Sequence, residues 1–137
     1  MSRSEGANAT LFRMRTAAQR TGDAAEARVD AYLRNLGWRI LGGHVRVGRA
    51  ELDIVAIDPG PPSALVIVEV RWRRRRDYGL PEETVDGRKR QRLHRAGFAL
   101  RERGSLSDGA AVPDLPLRFD LIVVEPGDRL RHHRYGA

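Results

Sequence analysis

The segment that most restricts this chain runs from Ala64 to Trp72, where Ala-Leu-Val-Ile-Val leads into Glu69, Val70, Arg71 and Trp72. An unbroken run rich in β-branched residues predicts a strand covered on both faces, so the fold needs a sheet with packing on each side. Glu69 sits inside that run. A carboxylate taken out of water there is strongly unfavourable unless something cationic meets it. Side-chain alternation puts Ile67, Glu69, Arg71 and Arg73 on one side and Val66, Val68, Val70 and Trp72 on the other. Trp72 is thereby expected to pack.

The flanking segments say what covers the sheet. From Gly22 onward, Val29, Leu33 and Leu36 recur at helical spacing, and Gly37 stands where a helix C-terminus needs a left-handed residue. Residues 38–47 and 51–57 read as two strands joined through Gly48. Asp58-Pro59-Gly60-Pro61-Pro62 breaks the chain before the central strand, with Asp58 as a turn residue. A loop through Tyr78, Gly79 and Pro81 leads to a second helix with Asp86 as N-cap, Leu93, Gly97 and Leu100 as inner stripe, and Gly104 past its end. After loop-like residues 105–116, residues 117–124 form a last strand. The predicted fold class is α/β, a mixed β-sheet flanked by helices in the order α-β-β-β-α-β. With 137 residues, 41% of them hydrophobic, the chain supplies one core. A single domain over 1–137 is expected, with 1–15 and 129–137 as flexible tails.

Charge narrows the partners. Lys plus Arg number 25 against 18 Asp plus Glu, a net +7. The whole excess falls between Arg71 and Arg103, which holds twelve basic and five acidic side chains. Such a strip fits a nucleic-acid backbone, with Arg73, Arg74, Arg75, Arg88, Lys89 and Arg92 as candidate phosphate contacts; a solvated helix face in an arginine-biased chain is the plainer alternative. The chain has no cysteine, which excludes disulfides, thiol nucleophiles and cysteine-held metals. No apolar stretch approaches the roughly 20 residues of a membrane span, and the polar N-terminus lacks a secretory segment, so a cytoplasmic setting is expected. No phosphate-binding glycine loop, acyl-transfer triad or dinucleotide fingerprint is present.

The acids carry the chemistry. Alternation places Glu51, Asp53, Val55 and Ile57 on one face of the second strand, with Leu52, Ile54 and Ala56 opposite. Asp53 and Glu69, on adjacent strands, can converge on one hard divalent cation; pairing with neighbouring arginines accounts for the same pattern. Glu26 lies on the apolar stripe of the first helix beside Val29 and Leu33, where a glutamate needs a reason. His44, His94, His132 and His133 read as ordinary surface or packing residues.

Taken in order, Glu26, Glu51-Leu52-Asp53, Glu69-Val70-Arg71, Gly79-Leu80-Pro81-Glu82-Glu83, Lys89 and Arg118-Phe119-Asp120 resemble the YraN-type family of small bacterial proteins. That family is similar in fold to restriction endonucleases and, distantly, to archaeal Holliday-junction resolvases. The resemblance spans roughly Gly22 to Glu125 and implies a PD-(D/E)XK-type centre. In it Asp53 and Glu69 would bind Mg2+ or Mn2+, Glu26 would complete the acidic cluster, Arg71 occupies the lysine position, and Glu51 stands behind them. It implies a DNA endonuclease, with branched or flapped DNA as the substrate form; a homodimer would suit a symmetric junction. Three positions depart from the family's pattern: Ala25 and Ala50 replace glycines, and Arg71 replaces the lysine. Arginine stays protonated, so it can clamp phosphate but cannot act as a base. The alternative is a catalytically impaired DNA-binding module.

Overall fold

The computed structural model describes residues 17–73, 87–127 and 129–135. Helix α1 (Ala17–Asn35) is followed by strands β1 (Arg39–Val47), β2 (Ala50–Asp58) and β3 (Ala64–Trp72), helix α2 (Gly87–Arg103), and strands β4 (Leu117–Glu125) and β5 (Arg129–Tyr135). The strands form one five-stranded sheet in the order β1-β2-β3-β4-β5. Only β3 and β4 run parallel; the other neighbours are antiparallel. A parallel pair cannot be closed by a tight turn, and α2 lies on the crossover between them.

Each helix covers one face. On one side Ala25, Val29 and Leu33 of α1 pack against Ile54, Ala56, Val66, Val68, Ile122 and Val124. On the other, Ala96 and Leu100 of α2 pack with Leu52, Val55, Leu65, Ile67, Leu117 and Phe119. Residues Ala64 to Val68 are therefore buried on both faces, as the apolar run requires. Each large aliphatic side chain buried this way contributes about 1.5–3 kcal/mol. α1 ends with the hydrogen bonds of a glycine stop: Gly37, at φ 88, donates to Arg34 O, and Trp38 N donates to Leu33 O. Gly97 lets α2 approach closely, because a Cβ there would lie 3.0 Å from Phe119 Cζ. The β1–β2 hairpin turns through Gly48, at φ 60.

Four expectations need correction. α1 begins at Ala17, ahead of Gly22. The segment expected to fray after residue 129 is a strand, β5, whose Arg129–Tyr135 pairs with Glu125–Phe119 of β4. Its composition, Arg-Leu-Arg-His-His-Arg-Tyr, hides it because neither face is apolar. Trp72 is 40% exposed instead of packed, since it sits at the end of β3 beyond the helices' cover. The strict alternation expected along β2 also fails, at the residue that matters most. Arg74, Arg75, Tyr78, Gly79, Pro81, Asp86 and the tail 1–15 lie outside the described residues.

Candidate metal centre

β2 and β3 are paired only from Ile54 to Asp58 and from Val68 back to Ala64. Beyond Val68, β3 keeps its ladder to β4, while the first half of β2 stays with β1. The two central strands thus fork, and Asp53 is the first residue inside the fork. Its Oδ2 accepts the Val70 backbone N–H at 2.9 Å, replacing a strand partner with a carboxylate. Across the hairpin from Asp53 lies His44, at φ 51. Among the described residues it is the one non-glycine with positive φ, a conformation that concentrates at functional sites. The distortion shows in the packing: Leu52 and Val55 share the α2-side core, while Ile54 and Ala56 face α1. Glu51, Asp53, Val55 and Ile57 therefore do not share one face.

Three acids from three elements act on one another here. Asp53 is pushed from 3.8 up to about 7, first by burial, then by the Glu69 charge; Glu26 adds to the push and the Val70 N–H opposes it. A hydrogen bond with Glu69 adds to the rise of Asp53. Glu69 Oε1 meets Lys89 Nζ from the first turn of α2 at 2.5 Å. Glu26 is raised mainly by burial, and its Oε2 lies 2.6 Å from His44 Nε2. His44 Nδ1 reaches Glu51 Oε1 at 3.2 Å, the contact that does most to raise the imidazole's pKa, and Arg46 braces Glu51 at 3.5 Å.

The donors suit a hard divalent cation. Oxygen ligands predominate, and burial together with two neighbouring acids raises Asp53, a push that a bound divalent cation would oppose. Asp23, Glu26 and His44 also bring ligand atoms within 4.8 Å of one another at the α1 edge of the same cleft. Asp23 and His44 had no signal in the linear sequence; His44 could have been found only from its strained place opposite Asp53.

The expected phosphate contacts divide. Arg88 and Arg92 are exposed on α2, and Arg73 is half-buried just past β3. Arg71 is half-buried on β3, in register with Val123. Lys89, expected on the nucleic-acid surface, points its amine at Glu69. A groove of about 750 Å³ separates the β1–β2 turn from α2, and Arg49, Lys89, Arg92 and Arg95 line it beside Glu51. Lys89 links it to the acids, because its amine contacts Glu69.

A second set of acids, these buried, gathers around Arg118 of β4. Arg118 grips Asp120 with two hydrogen bonds, 2.9 and 3.0 Å, and Asp58 at 2.9 Å. His132 Nε2 contacts Asp120 Oδ2 at 2.7 Å, and its Nδ1 contacts the Tyr32 hydroxyl at 2.9 Å. Trp38 meets the His132 ring edge-on. Asp58 also accepts the Gly60 N–H at 2.9 Å, the turn contact expected of it.

A mixed sheet with a helix on each face, in helix-then-strands order, is the arrangement of a restriction-endonuclease-like α/β domain. The chain belongs to the family described as "Uncharacterised protein family UPF0102", whose pattern matches residues 25–124. A UPF0102 protein of Symbiobacterium thermophilum is 40% identical over 110 residues, 80% of this chain and 85% of that one. One of Deinococcus radiodurans is 38% identical over 104 residues, 76% of this chain and 79% of the relative. Among solved structures, Pyrococcus furiosus SfsA in complex with Ca2+ is 15% identical with a TM-score of 0.32, over 87% of this chain and 64% of that chain's length. No described helix is long and apolar enough to cross a membrane.

Proposed function

We propose that this protein is a Mg2+-dependent DNA endonuclease, with Mn2+ as a substitute ion, working in the cytoplasm. The observation that carries the reading is Asp53, half-buried in the strand fork and hydrogen-bonded to Val70 N–H, with its carboxyl raised to about 7 beside Glu69 and Glu26. Asp53 and Glu69 would hold the ion, and Glu26 would close the acidic cluster from α1. When bound, such an ion polarises the scissile phosphodiester and lowers the pKa of the attacking water. The chain's own residues do the remainder. Val70 N–H fixes Asp53 in the fork. The arginines of the α2 groove guide the phosphate backbone toward the acids. Branched or flapped DNA is the substrate form that the family resemblance implies.

One residue favours a second reading. Arg71 stands at the lysine position of the motif, and an always-charged guanidinium grips phosphate without exchanging its proton. On that reading the protein binds DNA without cutting it.

The test incubates linear, flapped and four-way DNA with the purified protein in Mg2+ or Mn2+, beside Asp53→Asn, Glu69→Gln and Arg71→Lys. Cleavage by the wild type that both acid variants abolish supports the nuclease; cleavage by Arg71→Lys alone supports the binding module. Equal cleavage by wild type and both acid variants removes the metal centre. Neutralising Arg88 and Arg92 together should flatten the salt dependence of DNA binding by about two phosphate contacts.

A further inference from the structure

Lysine is nearly absent from this protein. Of 25 basic side chains, 24 are arginine and one, Lys89, is lysine. In a chain so biased, the single exception is informative by where it lies. Its Nζ sits 2.5 Å from Oε1 of Glu69, the acid of the central strand, whose side chain is 12% exposed. That places an ammonium, through Glu69, one hydrogen bond from Asp53. The two cation types differ here in shape as well as charge. An ammonium is a compact point charge with three donors that can rotate between a carboxylate and a third group. A guanidinium is a flat fork that commits to one plane. Lys89 also lines the groove between the β1–β2 turn and α2, so the same amine faces both the acids and the path left open for a phosphate backbone.

We infer that Lys89, reaching in from α2, is the cationic group of the candidate nuclease centre, in the place that the order of motifs along the chain gives to Arg71. In the free protein Glu69 holds the amine at the mouth of the fork. With DNA in the groove the amine contacts the scissile phosphate, and Arg71 acts as a neighbouring phosphate grip. This inference rests on the nuclease reading and deepens it.

Being the only lysine, Lys89 can be followed chemically as well as by mutation. An amine-acetylating reagent modifies Lys89 and the α-amine, and peptide mass spectrometry separates the two. In Ca2+, used to seat a duplex, Lys89 acetylation should slow severalfold while the α-amine rate stays constant. Lys89→Met should lower Mg2+-dependent cleavage about 100-fold or more. Its DNA affinity in Ca2+ should fall no more than about fivefold, as expected for loss of one partly exposed charge. Adding Arg71→Lys to Lys89→Met should restore part of the cleavage, with melting temperatures showing that both variants fold. Unchanged acetylation with DNA, or affinity lost in proportion to cleavage, overturns the inference. So does a wild type that cuts beside a Lys89→Met variant that cuts equally well, and in that case the nuclease reading stands. A wild type that cuts no DNA in any ion removes both.

Discussion

Two groups of acids lie in the β2–β3–β4 core, one around Arg118 and one in the β2–β3 fork, and they are compensated differently. Around Arg118, Asp58 and Asp120 share the guanidinium, with His132 and Tyr32 completing the set. Burial works against the Asp58 charge, but the Gly60 N–H and Arg118 outweigh it and hold its carboxyl below the ordinary value. In the fork, Asp53 meets two more acids and is raised to about 7. Both groups answer the same sequence pattern, an acid in an apolar strand. The difference lies in whether the fold supplies the cation. Where it does, the acid cross-links the sheet; where it falls short, the acid remains available to a ligand.

The largest effect should come from removing the cation that Asp58 and Asp120 share. Arg118→Met leaves Asp58 and Asp120 buried without it and should destabilise the protein by about 3–5 kcal/mol in urea unfolding at pH 7. Wild-type stability there would erase the contrast. Asp53→Asn should do the reverse in EDTA. Asp53's folded pKa of about 7 lies above its ordinary 3.8, so its stabilising contribution is complete below about pH 4 and is lost as pH rises through 7. The variant should therefore gain about 2 kcal/mol over wild type at pH 8 and nothing at pH 4; an equal gain at both would mean that Asp53 is not raised. Saturating Mn2+ at pH 8 should raise the wild type's melting temperature, equivalent to about 2.7 kcal/mol at a hundredfold excess over Kd. It should leave Asp53→Asn nearly unmoved. The smallest effect belongs to the exposed rim. Glu51→Gln should alter stability by less than about 0.5 kcal/mol. Because the Glu51 hydrogen bond is the main support of the His44 charge, its imidazole pKa, read by NMR titration, should fall toward 6.5.

The sequence was most readable where one local rule decided the outcome. Val29, Leu33 and Gly37 mark α1 and its stop, and the Ala64–Val68 run marks a strand covered on both faces. The resemblance named Glu26, Asp53 and Glu69, and the fold brings their charges to bear on Asp53. What could not be read depends on contacts distant in sequence. β5 is polar on both faces, so only its pairing with β4 identifies it, and the Asp120–His132 contact follows from that pairing. Asp53 leaves the alternation where β2 parts from β3, near a left-handed His44 on β1, and no residue pattern announces either feature. Lys89 looked like one more member of a basic strip until α2 placed its amine on Glu69.

The fork also gives the centre a built-in reporter. The Val70 amide proton is held by a side chain where its neighbours in β3 are held by a ladder. Its chemical shift should therefore follow the Asp53 carboxylate as that group loses a proton or gains an ion. In Asp53→Ala its exchange with deuterated solvent should become fast while the Val68 amide stays protected. A single peptide proton can thus be watched to see whether an ion enters the candidate centre, with no substrate present.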